Sequence, residues 1–423
     1  MTDGRSTALL TDHYELTMLD AALRSNTAAM PVTFEVFARR LPPGRRVGVF
    51  AGLGRLLDAL EEFHFGPDQL RWLADVGVVS AATIDWLRDF RFHGSIDAYA
   101  EGEWYTQGSP VLTVEGTFAE TVLLETLVLS ILNHDSAIAA AASLLAGAAG
   151  ERPLIEMGSR RTDPDAAVAA ARAAYLSGFA STSNLEAGRR YTIPTAGTAA
   201  HAFVLVHRAE REAFAAQVAA LGADTTLLVD TFDTEAGIRT AVEVAGPTLG
   251  AVRIDSGDPA TTVPRARHLL DSLGASATKI IVTGDLDERV IGVLSTVPAD
   301  GYGVGTNLVT GLGAPTAGFV YKLVAVANDA GGQHPVAKLS PGKATVGGRK
   351  WAWRARQTLA PGDYESPVAP LDVSVGSADE GTGDDDRGRV GARHRGAPTA
   401  RGARAVLGDV VALSADGAEP TWR

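Results

Sequence analysis

The sequence predicts an α/β protein: an irregular (β/α) barrel with an α+β domain formed by the N-terminal third and part of the C-terminal region. From residue 153 onward, short apolar runs typical of buried parallel strands alternate with amphipathic helical patterns. Successive runs lie roughly 20 to 40 residues apart, which is the spacing of βα units. Polar clusters follow nearly every run, and this favours a closed barrel over a doubly wound sheet with one switch point.

Length and composition limit the possible classes of protein. A chain of 423 residues exceeds one ordinary domain, and 46% apolar with 21% charged residues is typical of a globular protein with a large core. The net charge of −12 argues against a nucleic-acid partner. The absence of cysteine excludes disulfides, thiol catalysis and cysteine-ligated metals, and it fits a cytoplasmic location. No signal peptide is expected, and no membrane partner, because the most apolar stretch (136–150) is shorter than the roughly 20 residues of a bilayer span.

Periodicity predicts the elements of the first third in order. A helix covers 11–23, with Asp12 placed to cap it, and a strand covers 32–38 before a second apolar run at 47–51. Helices follow at 53–63, 67–75 and 81–89, and then a β-hairpin of 94–105 and 110–115 around a turn at 106–109. A long apolar helix covers 118–145, broken at most near Asn133. We assign 1–135 to the α+β domain, joined by 325–372.

The catalytic domain is assigned to 136–324. Its predicted strands are 154–157, 192–195, 225–229, 249–254, 279–283 and 301–304. Its predicted helices are 164–180, 209–221, 234–245, 259–273 and 286–297. The tail, 373–423, is rich in Gly, Ala, Arg and Asp without periodicity, and its composition predicts disorder.

The first group of candidate site residues follows the runs at 154–157 and 192–195. Arg160 and Arg161 form a fork that can bind phosphate, although salt bridges to nearby aspartates would explain them equally well. Asn184 and His201 follow at the same predicted edge. A lone histidine is more often structural, but the company of the arginines favours a chemical role for His201, whereas His207 is expected to be structural.

The second group follows the later strands. In RIDSGDP, Asp258 is placed to cap the next helix, whereas Arg253 and Asp255 together suit a polyanion held beside a sugar. In TGDLDE, Asp285 and Glu288 form a capping-box pattern, and Gly284 also allows backbone N–H groups to approach a phosphate. GVGTN is a further glycine turn of this kind, and two such turns on neighbouring strands resemble the phosphate sites of barrels.

Taken together, these segments resemble the nicotinate phosphoribosyltransferases, which are type II phosphoribosyltransferases. The matching segments run in family order from about Leu9 to Arg354: LLTDHYELTML, FEVFARRLP with GVFAGL, EMGSRR, GFASTSN, IPTAGTAAHAF, VRIDSGD, TGDLDE, DGYGVGTNL and GFVYKLV. The resemblance implies the formation of nicotinate mononucleotide and pyrophosphate from nicotinate and 5-phosphoribosyl-1-pyrophosphate, for NAD salvage. It also implies ATP as a co-substrate, used through a phosphorylated histidine, and Mg²⁺ whose protein ligands are not assigned.

The resemblance also implies roles for individual residues. His201 lies at the position of the phosphorylated histidine, Arg160 and Arg253 at positions that grip pyrophosphate and ribose, and Asp255 at a carboxylate contacting the ribose hydroxyls. Tyr14 matches an aromatic residue that stacks on the pyridine in the neighbouring subunit's site, so that a homodimer with shared active sites is expected. The remaining substrate-binding residues lie within the matching motifs and are Thr198, Ser256, Gly284, Asp285, Gly305 and Thr306.

The chemistry is consistent with these residues, since the leaving pyrophosphate needs a clamp of cations and the pyridine nitrogen needs only to be positioned. Related nicotinamide-using enzymes have an aspartate at the position aligned with Asn184. A neutral side chain there does not repel the carboxylate of nicotinate, so the acid is favoured over the amide. Three alternatives remain: a nicotinamide phosphoribosyltransferase, a quinolinate phosphoribosyltransferase, and a non-catalytic phosphosugar-binding barrel.

Overall fold

The computed structural model describes residues 6–328, 332–354 and 373–377. The described chain forms two compact units. The N-terminal unit contains the residues up to Ser136 and those from Thr316 onward, and the central unit contains Ala137–Pro315. Most of the predicted tail lies outside the described residues.

The N-terminal segment begins with α1 (His13–Ser25), β1 (Pro31–Ala38) and β2 (Gly48–Val49), followed by α2 (Leu53–Glu61), α3 (Pro67–Val76) and α4 (Ala81–Arg88). It continues with β3 (Ser95–Ala98), β4 (Trp104–Tyr105), β5 (Leu112–Thr117), α5 (Phe118–Val122) and α6 (Glu125–Ala149). Asp12 occupies the N-cap position of α1 but makes no side-chain capping bond, whereas Thr117 and Glu120 form a capping box on α5.

The central unit alternates strands and helices. Its strands are β6 (Leu154–Glu156), β7 (Ser181–Thr182), β8 (Thr226–Leu228), β9 (Ala251–Ile254), β10 (Lys279–Val282) and β11 (Gly301–Val304). Its helices are α7 (Pro164–Leu176), α8 (Leu185–Tyr191), α9 (His201–Leu205), α10 (Glu210–Leu221), α11 (Thr234–Ala245), α12 (Pro259–Ser272), α13 (Glu288–Leu294) and α14 (Thr306–Val309). Aspartates cap α7, α11, α12 and α13, as helix starts after strands prefer.

The chain then returns to the N-terminal unit with β12 (Phe319–Ala327), β13 (Gln333–Pro335), β14 (Lys350–Arg354) and β15 (Val373–Ser377). The predicted end of the catalytic domain at residue 324 falls inside β12, and the whole of β12 belongs to the N-terminal unit. Strand β15, at the start of the predicted tail, pairs antiparallel with β14.

The sheet of the N-terminal unit has the order β13-β12-β1-β5-β3, and every pairing in it is antiparallel. Its central strand β1 alternates apolar residues toward a core in which Phe34 stacks on Tyr321, with ring centroids 4.6 Å apart. Beside this core, Glu35 is fully buried and pairs with the buried ammonium of Lys350 at 2.6 Å. Such a pair is costly to break, because removal of one charge leaves the other uncompensated.

Three details of the N-terminal unit differ from the sequence prediction. The predicted hairpin is confirmed in its pairing of β3 with β5 and in its turn, where the N–H of Ser109 donates to the carbonyl of Thr106 at 3.2 Å. However, β4, which lies within the predicted first strand, pairs with β2 instead of β5. The long helix is interrupted at residues 123–124 instead of near Asn133, which lies inside α6. Helix α6 is long and apolar enough to span a membrane, but 67% of its most apolar window is buried, as in the core helix of a globular protein.

The central unit contains a six-stranded parallel sheet with the order β7-β6-β11-β10-β9-β8. Apart from β7, its strands are short and mostly apolar, as expected of strands buried on both faces. The predicted strand at 192–195 is wrong, since only a single bridge joins Thr195 to Thr182. The strand that pairs with β6 is instead the polar dipeptide of β7, while α8, α9 and α14 were absent from the prediction. Because all six strands are parallel, their carboxyl ends lie along one edge.

Candidate active site

His201 is the first residue of α9 and lies beside two carboxylates at the carboxyl edge of the sheet. Its Nδ1 lies 3.1 Å from the hydroxyl of Thr231, and its Nε2 lies 3.9 Å from both Asp230 Oδ1 and Asp255 Oδ2. The side chain is 39% exposed, so one ring edge is held while the rest stays accessible. This environment suits an imidazole that carries charge or a phosphoryl group.

Asp230 was not predicted from the sequence. Its side chain is 1% exposed, and its Oδ2 accepts hydrogen bonds from the backbone N–H of Asp255 at 2.8 Å and the hydroxyl of Ser256 at 2.7 Å. Its Oδ1 is buried, has no hydrogen-bond partner among the residues that the structure describes, and lies on the side of His201. A buried carboxylate oxygen without a partner is rare and indicates a site for a cation or a proton donor. Its position directly after the apolar run at 225–229 was the available signal.

Arg253 is on β9 and lies close to the same carboxylates. Its guanidinium donates to the hydroxyl of Thr198 at 3.3 Å, while its buried Nε has no partner within the described residues. Burial lowers the pKa of Arg253, the nearby carboxylates of Asp255 and Asp230 raise it, and the positive charge of Arg160 lowers it. Arg160 and Arg253, which are both predicted to bind pyrophosphate, therefore influence each other electrostatically. The buried Nε–H of Arg253 remains available to an anion.

The glycine turns approach the neighbouring strand ends closely. Gly284 has φ +121°, and a β-carbon there would lie 3.1 Å from the carbonyl oxygen of Asp255. A β-carbon on Gly305 would lie 3.2 Å from the carbonyl oxygen of Met157. The side-chain amide of Asn307 donates to the carbonyl of Leu286 at 3.0 Å, which links the two turns.

The helix caps at these turns differ in one respect from the sequence prediction. Asp258 caps α12, as predicted, by accepting from the N–H of Ala260 at 3.2 Å. The predicted capping box of Asp285 with Glu288 is wrong: Asp287 caps α13, because the helix begins later than the sequence suggested. Asp285 is therefore an exposed residue of the turn, and Thr306 is exposed at the first position of α14.

Asn184 caps α8, and this contact fixes the orientation of its side-chain amide. Its Oδ1 accepts from the N–H of Ala187 at 2.9 Å, and its Nδ2 donates to the hydroxyl oxygen of Ser159 at 3.0 Å. Because a helix start offers only N–H donors, the amide oxygen must face the helix. The nitrogen therefore faces the turn that carries Arg160 and Arg161, both of which are exposed.

Tyr14 belongs to the N-terminal unit, on α1, and its ring is 44% exposed. Burial of the hydroxyl and the negative charge of Glu125 raise the pKa of Tyr14. The phenol is therefore neutral and hydrogen-bonded at one end, whereas the ring presents an apolar face to the surroundings.

The grouping has definite chemical abilities. The central unit brings together His201, Arg253, Asp255, Thr198 and Ser256 around Asp230, and it places the Gly284 turn against the same strand end. Arginines and glycine turns bind phosphates, and carboxylates bind ribose hydroxyls or a divalent cation. Among the residues described, no group of three or more metal-ligating side chains is present.

Comparison with known proteins gives a consistent result. Residues 9–133 match the family model of the nicotinate phosphoribosyltransferase (NAPRTase) N-terminal domain, and residues 153–345 match that of the NAPRTase family. The chain is 60% identical over 354 residues to nicotinate phosphoribosyltransferase pncB1 of Mycobacterium tuberculosis, and the match covers 82% of this chain and 78% of that protein. It is 39% identical over 360 residues to nicotinate phosphoribosyltransferase of Bacillus subtilis, covering 82% and 73% of the two chains.

Solved structures agree with the sequence matches. Human nicotinic acid phosphoribosyltransferase is 29% identical with a TM-score of 0.70, covering 82% of this chain and 79% of that one. The nicotinate-nucleotide pyrophosphorylase from Pyrococcus furiosus is 25% identical with a TM-score of 0.69, covering 89% of both chains. The family models together match well over half of the sequence, and the site residues described above lie within the matched ranges. The chain belongs to the nicotinate phosphoribosyltransferase family.

Proposed function

We propose that this protein transfers the phosphoribosyl group of 5-phosphoribosyl-1-pyrophosphate to nicotinate, releasing pyrophosphate and forming nicotinate mononucleotide for NAD salvage. The observation that carries the proposal is the position of the His201 imidazole, 3.9 Å from both Asp230 and Asp255, at the same edge of the sheet as Arg253. The relatives that match most of the chain are named for this activity.

The chemical step breaks the C1–O bond to pyrophosphate and forms a bond from C1 to the pyridine nitrogen. Positive charge develops on the ribose and negative charge on the leaving group. Arg253 and Arg160 stabilise the pyrophosphate, while Asp255 orients the ribose hydroxyls. The turns at Gly284 and Gly305 present backbone N–H groups to the 5-phosphate, with Asp285 and Thr306 at their rims. The pyridine nitrogen attacks through its lone pair and no proton has to be removed from it, so the residues mainly position the two substrates.

ATP is the proposed co-substrate, and His201 is its proposed phosphoryl acceptor. A hydrogen bond from the Nδ1–H of His201 to the Thr231 hydroxyl would leave Nε2 unprotonated. Nε2 would then be the nucleophile that attacks the γ-phosphorus of ATP, and ADP would leave. Water then cleaves the phosphohistidine to inorganic phosphate. While the phosphohistidine persists, its negative charge would lie at the same edge of the sheet as Arg253. The charge would therefore couple ATP cleavage to the organisation of the pyrophosphate site.

Mg²⁺ fits this donor set. Within the described residues Asp230 Oδ1 has no hydrogen-bond partner, and Asp255 Oδ2 faces the same imidazole nitrogen. Two carboxylates with substrate phosphates form a common environment for this ion. When bound, Mg²⁺ would neutralise charge on the phosphates. Asp230 and Asp255 are the residues proposed to hold it.

The barrel is also part of the proposal. The sheet order places β6 beside β11 and leaves β7 and β8 as the outer strands. The bridge from Thr182 to Thr195 extends the β7 side toward the segment that carries His201. We propose that this segment closes an irregular barrel between the outer strands.

The dimer is proposed because Tyr14 presents an exposed ring on the N-terminal unit, where a neighbouring subunit could use it against pyridine. Shared sites would follow from such an arrangement.

The direct test measures product from nicotinate, nicotinamide and quinolinate, each with 5-phosphoribosyl-1-pyrophosphate and Mg²⁺, with and without ATP. Quinolinate is included because a similar solved structure is named a nicotinate-nucleotide pyrophosphorylase. We expect turnover of nicotinate, stimulated by ATP. Faster turnover of nicotinamide or quinolinate than of nicotinate would contradict the assignment. If none of the three pyridines is turned over, the non-catalytic phosphosugar-binding barrel is favoured.

A further inference from the structure

Glu156 is a fully buried carboxylate at the end of β6, and none of the roles above uses it. Burial raises its pKa, and hydrogen bonds from Thr182 and from the backbone of Gly158 lower it. No cationic side chain pairs with Glu156 in the described ranges. A buried carboxylate without a cation needs another reason for its presence.

The two oxygens of Glu156 reach two different loops. Oε1 accepts the N–H of Gly158, at the start of the turn that carries the arginine pair. Oε2 accepts the hydroxyl of Thr182 on β7. The same hydroxyl oxygen accepts the N–H of Asn184 at 2.9 Å. The carboxylate therefore connects the arginine turn to the cap of α8, in addition to the backbone hydrogen bond from the N–H of Ser183 to the carbonyl of Glu156 at 2.8 Å.

The connection closes on itself through Asn184. The Nδ2 of Asn184 donates to Ser159 Oγ at 3.0 Å, which returns the chain of hydrogen bonds to the residue after Gly158. We name the group Glu156, Gly158, Ser159, Thr182 and Asn184 the ring; Glu156, Gly158 and Thr182 are buried, and Ser159 and Asn184 are half-buried. Hydrogen bonds in a low-dielectric interior reinforce one another, so the ring holds its two loops in one geometry.

The surroundings of the ring leave little freedom. A β-carbon on Gly158 would lie 2.2 Å from a methyl group of Val309 and 3.3 Å from the carbonyl oxygen of Gly305. The carbonyl of Thr182 accepts the N–H of Ala196 at 2.9 Å, in the segment leading to His201. The ring thus lies under three of the loops that the proposed reaction uses.

We infer that Glu156 and Thr182 are positioning residues, which hold Arg160 for pyrophosphate and Asn184 for the pyridine carboxylate in one fixed arrangement. The inference rests on the proposed function. Because the ring keeps the amide oxygen of Asn184 on α8, the group left for the substrate is an N–H donor. A donor suits the carboxylate of nicotinate.

The experiment compares two substitutions of one residue. Thr182→Val keeps the shape and removes the hydroxyl, whereas Thr182→Ser keeps the hydroxyl and removes a methyl group. We expect Thr182→Val to raise KM for nicotinate and for 5-phosphoribosyl-1-pyrophosphate by about tenfold, the loss expected for a hydrogen bond to a charged group. We expect Thr182→Ser to stay within about twofold of the wild type, because the ring remains closed.

Glu156→Gln provides a second, isosteric route to the same result and replaces Thr182→Val if that variant does not fold. An amide cannot accept both hydrogen bonds, so the same rise in both KM values is expected. The double variant should be no worse than the poorer single variant, since both remove one ring. Glu151→Gln, at an exposed position in the loop before β6, is the matched control and should leave both constants unchanged.

The outcomes separate this inference from the proposed function. Unchanged KM values in Thr182→Val or Glu156→Gln would overturn the inference, and so would equal impairment in Thr182→Val and Thr182→Ser. Additive losses in the double variant would also count against one shared ring. No nicotinate turnover by the wild-type protein would instead overturn the proposed function, together with the inference that rests on it.

Discussion

His201 shows how a single residue acquires a role from its neighbours. A hydroxyl faces one ring nitrogen, and two carboxylates lie 3.9 Å from the other. By contrast, His207 lies just after α9, and its Nδ1 is within hydrogen-bond distance of the carbonyl oxygen of Phe203, at 2.7 Å. The two histidines have the same chemistry in isolation, so the proposed role of His201 as a phosphoryl acceptor rests on its neighbours.

His201→Ala should retain basal nicotinate turnover and lose ATP stimulation and ATP hydrolysis, because substrate positioning depends on other residues. The measurement is pyridine turnover with and without ATP, together with ADP release. His207→Ala is the matched control and should behave as the wild type does. Persistent ATP stimulation in His201→Ala would refute the role.

Sequence motifs located most of the candidate residues at this scale, because their spacing follows strand ends. The sequence does not identify Asp230 as a site residue, because an aspartate after a strand is typical of an ordinary turn. Only the fold shows that this side chain is buried and lies 3.9 Å from His201. The sequence predicts Asp285 as the cap of α13 because Glu288, three residues later, completes a capping-box pattern, whereas the cap in the structure is Asp287. Which carboxylate caps depends on where the backbone becomes helical.

At the scale of elements, one side chain of α1 fixes the start of α4. Asp20 Oδ1 accepts from the N–H of Ser80 at 2.9 Å and from the hydroxyl of Thr83 at 2.6 Å. The side chain of Ser80 makes no capping bond on α4, so a carboxylate from a distant helix supplies the acceptor near the helix start.

Asp20→Ala should lower the free energy of unfolding by about 1 to 3 kcal/mol, the cost of leaving these donors without an acceptor. The hydrogen bonds from Ser80 and Thr83 lower the pKa of Asp20. Its charge therefore stabilises the fold above the ordinary unfolded pKa of about 3.9, and the contribution is lost as pH falls toward the lower folded value.

The measurement is denaturant unfolding of the wild type and Asp20→Ala at several pH values. The difference should be constant near neutral pH and should narrow below about pH 4. Asp85→Ala is the control, because that exposed carboxylate on α4 pairs only with exposed Arg88 and should change stability little. A difference that does not narrow in acid would exclude the charge as the cause.

Elements with strong periodicity could be predicted to within a few residues, including α3, α11 and β11. Those that failed depend on distant partners. Strand β7 is Ser181–Thr182, too short and polar to stand out, and it exists because β6 pairs with it. Strand β4 is separated from the predicted hairpin because β2 offers a competing edge. Pairing partners distant in the sequence are not visible in local patterns.

At the scale of the whole molecule, the proposed dimer makes Tyr14 a residue of the neighbouring site. Tyr14→Ala should raise KM for nicotinate several-fold through loss of stacking, and Tyr14→Phe should not, because the ring remains. Steady-state kinetics of the two variants checks this. An unchanged KM in Tyr14→Ala would contradict the stacking role.

Mixing variants tests whether sites are shared. If Tyr14 and Arg160 of one site come from different subunits, a hybrid of Tyr14→Ala and Arg160→Ala subunits contains one intact site. Random reassembly should then make about a quarter of all sites intact, and these add activity above that of the parents when nicotinate is kept below the raised KM of Tyr14→Ala. Activity no greater than the average of the two parents would exclude shared sites.

The central place of β1 in its sheet has a consequence for synthesis on the ribosome. One edge of β1 pairs with β5, which follows soon after, but the other pairs with β12, whose first residue is Phe319. Roughly 280 residues separate the two strands, so at 5 to 20 residues per second the second edge stays open for roughly 15 to 60 s. Throughout that interval the nascent chain exposes an unpaired apolar strand, while the whole central unit is being made and can fold. We therefore expect trigger-factor-type chaperones to engage the growing polypeptide at this strand until translation passes residue 327.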